Sequence, residues 1–136
     1  MEEDPEGEPN IVHNKGWYLV ENETGETFTL NDAHMDRGVF DAEIRKKLEN
    51  GYTGTEEHPT FVARSLKDAR VGYEGFVKYG LPDGTVMISR FWKRDSGSHE
   101  LRVTFDGPRA GRYKAEYSSE KIKPGRILGK IKASEA

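Results

Sequence analysis

From Arg70 to Tyr117 the chain runs RVGYEGFVKY (70–79), TVMISRFWKR (85–94), ELRVTFD (100–106) and RYKAEY (112–117), four stretches rich in β-branched and aromatic residues. Between them stand Gly80-Leu81-Pro82-Asp83-Gly84, Asp95-Ser96-Gly97-Ser98 and Gly107-Pro108-Arg109-Ala110-Gly111. Proline presets φ, glycine accepts positive φ and aspartate bonds its own backbone, so each connection carries what a tight reversal requires. Strand-length segments at this spacing predict an antiparallel β-meander, left as a sheet or curled into a small partly open barrel.

Successive side chains of a strand point to opposite faces, which sorts these residues into two sets. Val71, Tyr73, Val77, Tyr79, Leu101, Val103, Phe105, Tyr113, Ala115 and Tyr117 form the expected core face. The other face collects Arg70, Phe76, Lys78, Arg102, Thr104, Arg112 and Lys114 and is basic. The second stretch is ambiguous because both of its alternating sets are partly apolar. If Val86, Ile88, Arg90, Trp92 and Arg94 face outward, the last three join the basic face.

Working outward, Trp17–Glu21 and Glu26–Leu30 flank Asn22-Glu23-Thr24-Gly25 and predict an amino-terminal hairpin. Phe40, Ile44 and Leu48 recur at intervals of four between Gly38 and Glu49, with Asp36 as cap, Asp41/Arg45 and Glu43/Lys47 as i, i+4 pairs, and Asn50-Gly51 as the stop. That pattern predicts one amphipathic helix covering the sheet. Pro59–Arg64 predicts a short edge strand. The fold expected is therefore α+β, mainly an antiparallel meander with an amino-terminal hairpin and one covering helix. Residues 1–10 form an acidic arm, 11–120 a single domain, and 121–136 either a basic extension or a last hairpin around Pro124-Gly125.

Composition narrows the function. The chain has 136 residues and a formal charge of −3, but residues 1–60 carry 15 Asp/Glu against 5 Lys/Arg, and residues 61–136 carry 9 against 16. An acidic arm beside a basic body suits an anionic partner, self-assembly or internal docking. The absence of cysteine excludes disulfides, thiolate nucleophiles and cysteine-bound zinc. No apolar run is long enough to span a bilayer and the amino end is not a signal peptide, so a cytoplasmic location with no membrane partner is expected.

Motifs for chemistry are missing. His13, His34, His58 and His99 lack metal-ligand spacing, and neither the Asp32/His34/Asp36 cluster nor the Glu56-Glu57-His58 cluster has it. Ser96-Gly97-Ser98-His99 is a turn rather than a nucleophile elbow. Pro124–Lys130 lacks the helix that a phosphate loop needs. No metal, cofactor or catalytic residue is assigned.

The candidate binding set is Phe76, Lys78, Arg90, Trp92, Arg94, Arg102, Arg112 and Lys114, because rings stack on bases while Lys and Arg meet phosphates. The function expected is a non-enzymatic binding module for a polyanion, either single-stranded nucleic acid or an acidic protein segment. The alternatives are a structural subunit that assembles with copies of itself, as in a virion or scaffold, and a small enzyme or ligand binder without a recognisable motif.

Overall fold

Alternation of apolar and polar residues lays down strands along more than half of the described chain. The computed structural model describes residues 13–66, 71–95 and 97–136, so the expected acidic arm lies outside the described residues. In chain order the strands are β1 (Lys15–Glu23), β2 (Phe28–Arg37), β3 (Val39–Phe40), β4 (Lys47–Leu48), β5 (Phe61–Arg64), β6 (Tyr73–Gly80), β7 (Val86–Lys93), β8 (His99–Asp106), β9 (Tyr113–Lys123) and β10 (Arg126–Glu135). They form two five-stranded sheets. Sheet one has the order β3-β5-β1-β10-β9 and sheet two the order β4-β2-β6-β7-β8. One apolar cluster is shared by both sheets, which makes the architecture a β-sandwich rather than an α+β fold or a single barrel.

β6, β7 and β8 are antiparallel neighbours, with Phe76 opposite Arg90 and Arg90 opposite Arg102, as the turn chemistry requires. The fourth stretch of the expected meander departs from it. After a single 3-10 turn at Ala110–Arg112, β9 crosses to sheet one and pairs with β10. Tyr113 and Ala115 pack on the core, but Tyr117 is 42% exposed because β9 is an edge strand.

The expected amino-terminal hairpin does not form, since β1 and β2 lie in different sheets. Asn22 decides this. Its buried Nδ2 donates to the carbonyls of Glu26 (2.7 Å) and Leu48 (2.9 Å), and its Oδ1 accepts from the Thr24 N–H (3.0 Å) and hydroxyl (2.7 Å). With every polar atom used locally, the chain turns out of sheet one into sheet two as an arch. β1 instead pairs in parallel with β10, from Lys15↔Arg126 to Glu23↔Ser134, and antiparallel with β5.

The expected helix is also absent, and the only helical turn among the described residues is the one at Ala110–Arg112. A spacing of four residues is two strand periods as well as about one helical turn, so Phe40, Ile44 and Leu48 fit either pattern. Backbone partners settle the choice. Asp41 N–H donates to Val62 O (2.9 Å), Arg45 N–H to Thr60 O (3.0 Å), and Leu30 N–H to Lys46 O (2.7 Å). The segment thus runs extended from β3 in sheet one to β4 in sheet two, where Leu48 is fully buried opposite Phe28. Asp41 pairs not with Arg45 but with Lys15 (2.6 Å) and Arg64 (2.9 Å). β5, expected as an edge, lies inside sheet one between β3 and β1.

Aromatic rings fill the space between the sheets. Tyr18 stacks on Phe61 with centroids 5.0 Å apart, and Phe91 lies 5.1 Å from Tyr18 and 5.6 Å from Phe61. The geometry suits the ring quadrupoles, and such pairs add about 0.5–1.5 kcal/mol beyond their buried area. Gly16 and Gly129 leave room for the Tyr18 ring, because a Cβ on Gly129 would stand 2.6 Å from it.

Candidate anion-binding faces

Pairing register places side chains of neighbouring strands in rows, because residues directly opposite each other share a face. On the outside of sheet two, one row reads His34, Phe76, Arg90 and Arg102, and the next reads Asp32, Lys78, Ile88 and Thr104. The Lys78 ammonium sits 5.0 Å and the Arg90 guanidinium 5.9 Å from the Phe76 ring centroid, within cation–π range. Trp92 occupies a third row between Glu74 and Glu100, and Arg94, just beyond β7, lies 5.9 Å from its ring. The structure therefore brings Phe76, Lys78, Arg90, Trp92, Arg94 and Arg102 onto one face.

Arg112 and Lys114 are elsewhere. Arg112 ends the 3-10 turn and bonds Asp83 at 3.2 Å, while Lys114 lies on β9 in sheet one. The face is also less basic than its cations alone suggest. Asp32 stands beside Lys78, Glu74 and Glu100 flank Trp92, and His34 lies 3.2 Å from Asp36. Only the directly opposed Arg90 and Arg102 are a like-charge pair on this face.

A second cationic site escapes any reading of contiguous sequence. Across one end of sheet one, Arg64 opposes Lys15, Lys15 opposes Arg126, and Arg126 opposes Lys123. Four cations thus stand in a row on four adjacent strands. Beside them the Trp17 ring receives the Lys15 ammonium at 4.9 Å and the Arg126 guanidinium at 5.6 Å, and it lies in register with Val62 and Leu128. Asp41 compensates Lys15 and Arg64. Burial pushes its carboxyl upward, but the bonds and charges of those two cations outweigh burial and leave it below the usual carboxylate range.

No carboxylate among the described residues pairs with Arg126 or Lys123, and the buried Arg126 Nε has no hydrogen-bond partner. Two large apolar side chains project at the same end. Leu66, just past β5, is 61% exposed, and Ile122, the extra residue where the β9–β10 register shifts, is 51% exposed. Nearer the middle of the same face, a groove of about 590 Å³ runs over Leu19 under the Thr53–Glu56 loop, with Glu21, Glu116, Lys130 and Lys132 at its rim. The signals available in sequence were Lys15-Gly16-Trp17 and Lys123-Pro124-Gly125-Arg126, but only the parallel β1–β10 pairing joins them.

Among the described residues no cluster of His, Asp or Glu has the arrangement of a metal site, and no helix is long and apolar enough to cross a membrane. No protein-family model and no curated protein matches the chain. Solved structures do share its fold. The lipid-binding protein Nakanori is 19% identical over 90% of this chain and 72% of its own, with a TM-score of 0.73. RahU, solved in complex with a Tris molecule, is 12% identical over 92% of this chain and 96% of its own, with a TM-score of 0.55. At these identities the likeness is one of fold.

Proposed function

We propose that the chain is a non-enzymatic binding module that docks on anionic lipid headgroups through the end of sheet one that carries Arg64, Lys15, Arg126 and Lys123. The observation that carries this reading is the in-register row of four cations against one carboxylate, next to Trp17 and flanked by protruding Leu66 and Ile122. Each cation near an anionic membrane contributes about 1 kcal/mol. Trp17 has the amphipathic ring favoured at headgroup depth, and exposed aliphatic side chains gain by entering the acyl boundary. A lipid-binding protein of the same fold adds support. The reading departs from the expectation of no membrane partner, which rested on the lack of a spanning segment, because surface docking needs no span.

Co-sedimentation with phosphatidylcholine vesicles, with and without phosphatidylserine, tests it. Binding is expected only to the anionic vesicles, falling steeply between 50 and 500 mM salt as the surface charge is screened. The Lys123→Glu/Arg126→Glu variant should bind at least tenfold more weakly. Equal binding to both vesicle types, or undiminished binding by the variant, would sink the proposal.

Sheet two supports a second reading, single-stranded nucleic acid, on the specific ground that Phe76 lies between Lys78 and Arg90. Four cations remain on that face, so log affinity for an oligothymidylate should fall against log salt with a slope of about −3. Phe76→Ala should weaken binding without changing that slope, and an absence of oligonucleotide binding at 50 mM salt removes this alternative.

A further inference from the structure

A separate cavity of about 300 Å³ opens between the two sheets, where the start of β8 faces the inner side of β9. Its wall includes Lys93, Ser98, His99, Ser119 and Lys121, and no carboxylate of the described residues lines it. Lys121 points inward, because its cross-strand partner Ile127 is buried in the core. Lys93 is held over the carbonyls of Arg94 (2.7 Å) and Asp95 (3.3 Å), while the nearby Asp95 carboxylate is occupied by Arg37 (2.7 Å) and the Gly72 N–H (3.0 Å).

The protons of three side chains define the role of His99. Among the described residues the buried Tyr18 hydroxyl has only the Tyr73 hydroxyl as partner, at 3.0 Å, and Tyr73 in turn meets His99 Nδ1 at 2.9 Å. Both phenol protons find acceptors only if Tyr18 donates to Tyr73 and Tyr73 donates to Nδ1. His99 then carries its proton on Nε2. His99 is one of the residues that line the cavity, and its Nε2 is buried with no partner among the described residues, an unusual condition for a buried donor.

We infer that this cavity is a binding site for a small multivalent oxyanion of phosphomonoester size, held by His99 Nε2–H and the Lys93 and Lys121 ammonium groups, with the Ser119 hydroxyl as a further donor. An inward lysine on an edge strand also discourages edge-to-edge pairing, which accounts for Lys121 alone. It leaves the stranded His99 Nε2 unexplained, whereas an anion gives that N–H an acceptor and gives Lys121 and Lys93, whose ammonium is otherwise bonded among the described residues only to carbonyls, a counter-charge. The electrostatics agree. Burial first, then the charges of Lys93 and Lys121, depress the His99 imidazole to about 4, so the ring is neutral at pH 7 and keeps a single N–H to donate. The site is distinct from the row of cations on the outer face of sheet one and does not depend on it.

The test is imidazole NMR of the whole chain at pH 7 and constant ionic strength, titrated with inorganic phosphate, with glycerol 3-phosphate, and with vesicles containing phosphatidic acid. A saturable shift of the His99 ring is expected, with a dissociation constant of roughly millimolar or below. Lys121→Met, which keeps the aliphatic stem, should weaken it at least tenfold, and Ser119→Ala gives a second, milder variant. Saturation by the soluble phosphates identifies a free ligand, and saturation by vesicles alone identifies a lipid headgroup. A His99 ring that moves in no arm, or that moves equally in Lys121→Met and in added chloride, overturns the inference.

Discussion

The Tyr113 hydroxyl donates to Asp83 Oδ2 at 2.7 Å, so the turn that joins β6 to β7 in sheet two is tied to the first residue of β9 in sheet one. The bond from Tyr113, then that from the Thr85 N–H (3.0 Å), favour the ionised carboxylate and hold Asp83 down to about 2. An unfolded aspartate titrates at about 3.9. The folded value is the lower one, so the stability from Asp83 is present above pH ~4 and is lost as pH falls towards ~2. Urea midpoints of Asp83→Asn should therefore change less between pH 4.5 and 2.5 than those of the unaltered chain. Parallel profiles would show that the link contributes nothing to acid stability.

Asn22 offers a test of the arch between the sheets. Truncation to alanine takes a donor from the Glu26 and Leu48 carbonyls and leaves the buried Thr24 N–H without its side-chain acceptor, while the Thr24 hydroxyl keeps the Glu26 carbonyl at 3.3 Å. The expected loss is roughly 2–4 kcal/mol by urea unfolding. A loss below about 0.5 kcal/mol, the size of an ordinary surface substitution, would mean that water replaces these bonds freely.

Leu48 and Ile44, which a helix would place side by side on one stripe, should separate in energy. Leu48 is fully buried between the sheets, whereas Ile44 is only partly covered. Leu48→Ala is expected to cost about 2–5 kcal/mol and Ile44→Ala nearer 1 kcal/mol. Equal and large losses would restore the helical stripe.

What sequence made legible here was local. Gly80–Gly84 and its flanking strands are specified by residues within a few positions of one another, and alternation put Phe76 and Arg102 on one face but left Arg90 and Trp92 open, a choice that the strand pairing makes. What it hid was set by partners far along the chain. Lys15 could not be read as a neighbour of Arg126, and Phe40, Ile44 and Leu48 satisfied two periods at once. Asn22 gave a turn signal without saying that the turn changes sheets. The stretch from Arg112 to Tyr117 alternates as a strand should, yet nothing in its own residues told which sheet would take it.

The two tryptophans stand on opposite outer faces and report on the two proposed surfaces separately. In Trp92→Phe, the remaining Trp17 should shift its emission to the blue on anionic vesicles as it leaves water. In Trp17→Phe, the remaining Trp92 should stay unchanged with the same vesicles. A response confined to Trp92 would move the lipid surface to sheet two.

The parallel pairing of β1 with β10 sets an order on maturation. β6, β7 and β8 are contiguous in sequence and can zip together as they are made, each strand meeting the one before it. β1 has β5 on one side, but its other side stays open until β10 has been synthesised, with nearly the whole domain in between. Closing so long a loop is slow, and a waiting strand edge invites wrong partners. Half of this sandwich is thus a late product. A nascent chain halted before Arg126 would display a formed meander beside an unfinished sheet, which makes the last ten-residue strand the step that decides between a native molecule and an aggregate.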